Sequence, residues 1–114
     1  MTITEYQEKA MRTVNQTFIS DSHNQLLDGI LGLCGEAGEV ADLVKKHIFQ
    51  GHPFKKDKLI EELGDVMWYI ALLCHSQNLS LHGIMQRNID KLEQRYPNGF
   101  SIEDSINRVD TKTV

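Results

Sequence analysis

Four carboxylates are spaced so that they could act on one ion. Glu36 and Glu39 lie three residues apart in GEAGEV, and Glu62 and Asp65 repeat that spacing in EELGDV. On an α-helix three residues amount to about 60° of rotation, so each pair shares a face. If the two helices are antiparallel neighbours, all four carboxylates converge on one point. Like charges at that separation repel strongly unless a cation sits among them. Ligands that are all oxygen select a hard cation, Mg2+ or its substitute Mn2+. One E-x-x-E pair on a solvated face is common and inert. Two pairs embedded in apolar sequence are rarer, because burying charge is costly without a partner. Metal binding is the expectation, and a coincidental solvated face is its alternative. A di-iron bundle would need Glu-x-x-His motifs, and no glutamate here has a histidine three positions on. Phosphoryl chemistry on a metal-bound polyphosphate needs no histidine, only cations and a carboxylate that orients or deprotonates water.

The elements that would carry these residues are all helices. Thr2 with Glu5 is a capping-box pattern, and a helix is expected over about 3–18. SDSHN, residues 20–24, is a polar break before a second helix over about 25–49. QGHPFKK, residues 50–56, reads as a loop punctuated by Gly51 and Pro53. A third helix follows Asp57 and runs to about 77. Ser80 is placed to cap a fourth over about 81–95. YPNGF stops it, Ser101 with Asp104 suits one last short helix, and the tail RVDTKTV is expected to fray. The short loop between the second and third helices makes them antiparallel neighbours. Residues 1–100 are thus expected to form a single all-α domain, an antiparallel four-helix bundle, with 101–114 as a tail. In the third helix Leu59, Ile60, Leu63, Val66, Met67, Ile70, Ala71 and Leu73 fill an arc of roughly 160°. That is wider than the stripe of an ordinary surface helix. A second subunit is the expected cover, giving an intertwined homodimer or homotetramer. A monomer with this helix central in its own bundle is the alternative.

Bulk properties narrow the class. The chain has 114 residues, 40% hydrophobic and 25% charged, with a net charge of −4. It is long enough for one core and lacks the basic balance of a general nucleic-acid binder. No apolar run approaches a membrane span, and MTITEYQEKAM has no signal-peptide core, so a cytoplasmic location is expected. Cys34 and Cys74 fall in helical apolar patterns without zinc spacing and read as reduced core cysteines.

GEAGEVADLVKK, EELGDVMWYIALL and NIDKLEQRYPNGF together resemble the MazG-like nucleotide pyrophosphohydrolases, of the all-α NTP pyrophosphatase superfamily. The resemblance spans about 25–100 and rests on E-x-x-E, a spacer of 22 residues, then E-x-x-D. It implies Mg2+-dependent hydrolysis of a nucleoside triphosphate to the monophosphate and pyrophosphate, in nucleotide-pool house-cleaning, by a helical homo-oligomer. Many members carry a further glutamate directly before the first motif glutamate, where this chain has Gly35. Any role of that acid must fall elsewhere. Phosphoribosyl-ATP pyrophosphohydrolase is the related alternative, and NIDKLEQRYPNGF argues against it. A non-catalytic, metal-stabilised dimerisation or regulatory module is the alternative outside enzymes.

Within that reading Glu36, Glu39, Glu62 and Asp65 are the expected Mg2+ ligands, and Glu39 or Glu36 also orients the attacking water. Tyr69 lies by angle between Glu62 and Asp65; the resemblance suggests contact with the nucleotide, and a plain core aromatic is the alternative. Trp68, some 60° past Asp65, would stack on a base or pack in the core. Asn88, Lys91 and Arg95 share a face of the fourth helix. The family's N-x-x-K segment favours substrate binding at Asn88 and Lys91, against a solvated face with cations near a helix C-terminus. Lys45, Lys46, Lys55, Lys56 and Lys58 surround the loop, with His52 and Phe54 on it. They would close over substrate or simply be solvated. His47 and His75 read as structural or surface groups. Glycines 29, 32, 35 and 38 cost the second helix roughly 3–4 kcal/mol in propensity. By angle Gly29 and Gly32 lie near the Glu36–Glu39 face and would leave room for metal and polyphosphate. Gly35 and Gly38 turn away and would admit another helix or subunit.

Overall fold

The computed structural model describes residues 1–111, all helix and connection. It divides into two compact units, Met1–Leu81 and the remainder from His82 onward. Among the described residues there is no β-strand, only an isolated bridge between Pro97 and Gly99.

The first unit holds three helices. In α1, Ile3–Met11, Thr2 caps the N-terminus by accepting from the Glu5 N–H at 3.1 Å. The helix expected to reach residue 18 stops seven residues earlier. The reason is competition for the Ala10 carbonyl. It accepts from the Thr13 N–H, from the Thr13 hydroxyl at 2.9 Å and from the Trp68 indole at 3.0 Å. Asn15 then folds onto the Thr17 N–H at 3.0 Å, a local bond that competes with helix.

α2, Ser22–Gln50, starts on Asp21, whose carboxylate accepts from both the backbone and the side chain of Asn24. It ends at Gly51 in the left-handed conformation, φ 71°, which glycine adopts without penalty. α3, Lys56–Ser76, begins on Lys55, with Asp57 inside the first turn rather than at the cap. α2 and α3 run antiparallel: Gly29 faces Leu73, Gly32 faces Tyr69, and Glu36 faces Asp65. α1 packs on α3, and the core there comprises Ala10, Ala71, Cys74 and Leu81, flanked by Tyr6, Trp68 and Ile70. Gln7 clamps the end of this unit, donating to the Leu79 carbonyl at 2.9 Å and accepting from the Leu81 N–H at 2.8 Å.

The wide apolar arc of α3 is only partly covered within the chain. Ala71 and Leu72 are fully buried, whereas Ile60 is 62% exposed and Leu63 48%. Cys74 is buried as expected, but Cys34 is exposed; its surroundings on α2 are apolar yet unfilled by this chain.

α4, Leu81–Arg95, opens at the unit boundary and supplies the second unit's long helix. α5, Ile102–Asn107, is capped by the Ser101 hydroxyl accepting from the Asp104 N–H at 3.0 Å. The tail was expected to fray from residue 108. Instead Val109–Thr111 forms a 3-10 turn, fixed by a two-pronged bond from Arg95 to Asp110 at 2.7 and 2.8 Å. A fork-to-carboxylate pair of this kind orders its segment better than a point contact does. Residues 112–114 of that expected tail lie outside the described residues.

Candidate metal centre

The antiparallel pairing of α2 and α3 brings three of the four expected carboxylates together. Glu36, Glu62 and Asp65 each present an oxygen within 4.8 Å of the others. Glu62 is buried and Glu36 half-buried. Glu39, one turn further along α2, is exposed and not within that group. It faces the lysine side, where it acts electrostatically on Lys46 and Lys58.

The cluster is strained electrostatically without a cation. A hydrogen bond to Glu62 holds a proton on Glu36 and, with desolvation and the charges of Glu62, Asp65 and Glu39, pushes its carboxyl up to about 7. Glu62 moves the opposite way, held ionised first by Glu36 and then by Lys58. Lys58 lies 3.0 Å from Glu62, at the i, i+4 spacing of helix pairs. Three converging carboxylates, one with its pKa pushed up by the others and one leaning on a lysine, offer when ionised the oxygen donor set of a hard divalent cation. Glu36, Glu62 and Asp65 would hold it.

Two hollows open on either side of this cluster. One, of about 360 Å3, is lined by Thr13, Glu36, Asp65, Trp68 and Tyr69. Tyr69 therefore sits beside the carboxylates as expected. Burial, then the charges of Asp28, Glu36 and Asp65, raise its phenol pKa. Its ring meets Trp68 edge to face at 5.0 Å. Trp68 lines the same hollow, while its indole N–H donates to the Ala10 carbonyl and, at 2.8 Å, to the Thr13 hydroxyl. The other hollow, of about 320 Å3, lies at the α2–α3 loop and includes Glu39, Glu62 and Lys58.

The expectation for Gly32 is corrected. A Cβ there would stand 2.1 Å from the Tyr69 ring, and one on Gly29 would stand 2.7 Å from Leu73. These glycines make room for α3 side chains, not for metal or polyphosphate. A Cβ added at Gly35 or Gly38 would meet nothing within 4 Å among the described residues, its chain neighbours and its own helix backbone aside. His47 is structural: its Nδ1 lies 2.8 Å from the His52 carbonyl and its ring tilts over Phe54.

Asn88 and Lys91 lie together on α4 in the second unit and line a hollow with Arg87 and Asp110. Arg95, on the same helix, is committed to Asp110, which is almost wholly buried. Thr13 was not anticipated as a site residue, because a helix read through it gave no hint that it would turn back toward Trp68. Lys58 was legible from its spacing to Glu62 but was grouped with a solvated lysine run.

Comparison with known proteins agrees with this geometry. The family model for the MazG nucleotide pyrophosphohydrolase domain matches residues 23–100. The chain is 42% identical over 82 residues to the Gene 37 protein of Mycobacterium phage L5, covering 68% of this chain and 72% of that protein. It is 36% identical over 73 residues to the uncharacterized protein YvdC of Bacillus subtilis (strain 168), covering 56% and 69% respectively. No solved structure matches. The family match spans α2, α3 and α4 with both carboxylate pairs, and the chain belongs to the MazG nucleotide pyrophosphohydrolase family.

Proposed function

We propose that this protein is a Mg2+-dependent nucleoside triphosphate pyrophosphohydrolase, converting (d)NTP and water to (d)NMP and pyrophosphate. The observation that carries the reading is the convergence of Glu36, Glu62 and Asp65 within 4.8 Å. A divalent cation held by Glu36, Glu62 and Asp65 would neutralise phosphate oxygens and make the phosphorus more open to attack. Glu36 must lose its shared proton for the full donor set to form. In this reading Glu39, exposed and outside the three-carboxylate group, orients a water and accepts its proton, with Glu36 as the alternative base. Water adds to a phosphorus at the α–β anhydride, that P–O bond breaks, and pyrophosphate leaves. Tyr69 and Trp68 line the side on which a base and sugar would lie. Asn88 and Lys91 are assigned to phosphate contacts on the strength of the family's N-x-x-K segment.

In this reading residues 1–100 act as one catalytic domain of a cytoplasmic house-cleaning enzyme, a four-helix bundle intertwined as a homodimer or homotetramer. The apolar side chains Ile60, Leu63 and Met67, exposed on α3, support assembly, since a contiguous patch of this kind is usually covered. Release of pyrophosphate from a panel of dNTPs and NTPs, with and without Mg2+, tests the proposal. No release from any nucleotide would remove it.

A further inference from the structure

Thr13, just past the end of α1, lines the hollow beside the carboxylates together with Trp68 and Tyr69. It is exposed, yet its hydroxyl is largely committed. The hydroxyl donates to the Ala10 carbonyl at 2.9 Å and accepts from the Trp68 indole at 2.8 Å. Its proton is therefore held by the backbone, and one of its two lone pairs by the indole. What remains for a ligand is one lone pair, which can only accept.

The other lining side chains share this bias. Glu36 and Asp65, when ionised to hold a cation, accept and do not donate. The Trp68 N–H is already divided between Ala10 and Thr13. No cationic side chain is among the described lining. The Tyr69 hydroxyl alone can donate as well as accept. A base that matches this set carries an amino donor beside an unprotonated ring nitrogen, as cytosine and adenine do. Uracil and hypoxanthine present a carbonyl and a ring N–H at the same two positions. Opposite Thr13 that carbonyl would meet a lone pair, and turning the hydroxyl toward it would break the bond to Ala10. A site built around one hydrogen-bond pattern rejects the analogue that leaves a polar group unpaired. The hollow's volume of about 360 Å3 is roughly that of twelve waters, room for one base.

We propose that Thr13 is a specificity-determining residue, whose acceptor-only hydroxyl selects nucleotides with an amino-bearing base, cytosine or adenine, over their oxo counterparts. The proposal rests on the hydrolase reading, which lays the base beside Trp68 and Tyr69, and names the substrate class within it. It also gives the early end of α1 a consequence, because Thr13 turns back toward Trp68 where that helix stops.

Trp68 is the only tryptophan in the chain, so its fluorescence reports what enters the hollow. The protein in Mg2+ is titrated with two matched pairs, dCMP against dUMP and dAMP against dIMP. In at least one pair the amino member should bind about tenfold more tightly. Thr13→Val keeps the side chain's shape without the hydroxyl, and the ratio should then fall to within about twofold. Thr13→Ser should restore it, and unchanged circular dichroism confirms the fold of both variants. A threonine that merely braced the indole would weaken both members equally on Thr13→Val. A ratio unchanged in that variant therefore overturns the proposal. So does a wild-type ratio within about twofold in both pairs, or no quenching by any of the four. Pyrophosphate release from the corresponding triphosphates by the wild type is measured alongside. Release without a Thr13-dependent preference sinks the specificity role alone. A Thr13-dependent preference in binding without release supports that role and sinks the hydrolase reading.

Discussion

Replacing Gly32 with alanine sets two effects of known sign against each other. Alanine gains about 1 kcal/mol of helix propensity over glycine. Its Cβ would also stand 2.1 Å from one Tyr69 ring carbon and 2.4 Å from two others. Carbon atoms in contact sit about 3.5–4.0 Å apart, so the ring or α3 must withdraw by roughly 1.5 Å. Trp68, edge-on to that ring at 5.0 Å and tied by hydrogen bonds to Ala10 of α1 and to Thr13 just beyond it, limits where it can go. Overpacking of this order costs about 1–3 kcal/mol. Gly32→Ala should therefore lose up to roughly 2 kcal/mol net, the propensity gain offsetting part of the overlap. With Tyr69→Ala in place the overlap is gone, and the same change should gain about 1 kcal/mol. The two substitutions should couple by about 1–3 kcal/mol. Urea unfolding followed by circular dichroism, at one protein concentration, measures all four corners of the cycle. Additivity within about 0.5 kcal/mol would refute the packing role given to Gly32.

The remaining predictions concern charge, assembly and the tail. Glu36 holds its proton up to about 7, against an ordinary value of 4.5. The stability this contributes without metal is present at low pH and lost as pH rises through 7. The metal-free melting temperature should fall from pH 5 to pH 8, and Glu36→Gln should flatten that slope. Glu62 shifts the other way, so its contribution is lost on acidification, below this window. Because metal must displace the Glu36 proton, Mn2+ affinity measured by titration should rise about tenfold per pH unit below 7 and level off above it. Gly38→Leu should shift the oligomer toward smaller species in size-exclusion chromatography while leaving Mn2+ affinity unchanged. Asp110→Asn should speed amide exchange over Val109–Thr111, with the circular dichroism of the long helices preserved.

Periodicity and spacing made much of this protein readable, because a helix places residues by local geometry alone. The E-x-x-E and E-x-x-D pairs, the loop between them and the fourth helix followed from that rule. What escaped depends on contacts between elements. α1 ends early because the Trp68 indole, 58 positions away, takes the Ala10 carbonyl. Gly32 faces the Tyr69 ring rather than open space, and only the register between α2 and α3 decides that. Glu39 shares a face with Glu36 on a helical wheel, yet a rise of one turn puts it outside the cluster, where its charge acts on Lys46 and Lys58. Asp110 holds Arg95 across a turn, a pairing that no periodic pattern encodes.

The central claim is that the clustered carboxylates serve nucleotide hydrolysis. Its most direct test is pyrophosphate release from a dNTP and NTP panel with Mg2+, comparing the wild type with Asp65→Asn. Release by the wild type, lost on chelation and absent in Asp65→Asn with helicity retained, is the predicted result. No release by the wild type, or equal release by Asp65→Asn, would contradict the account.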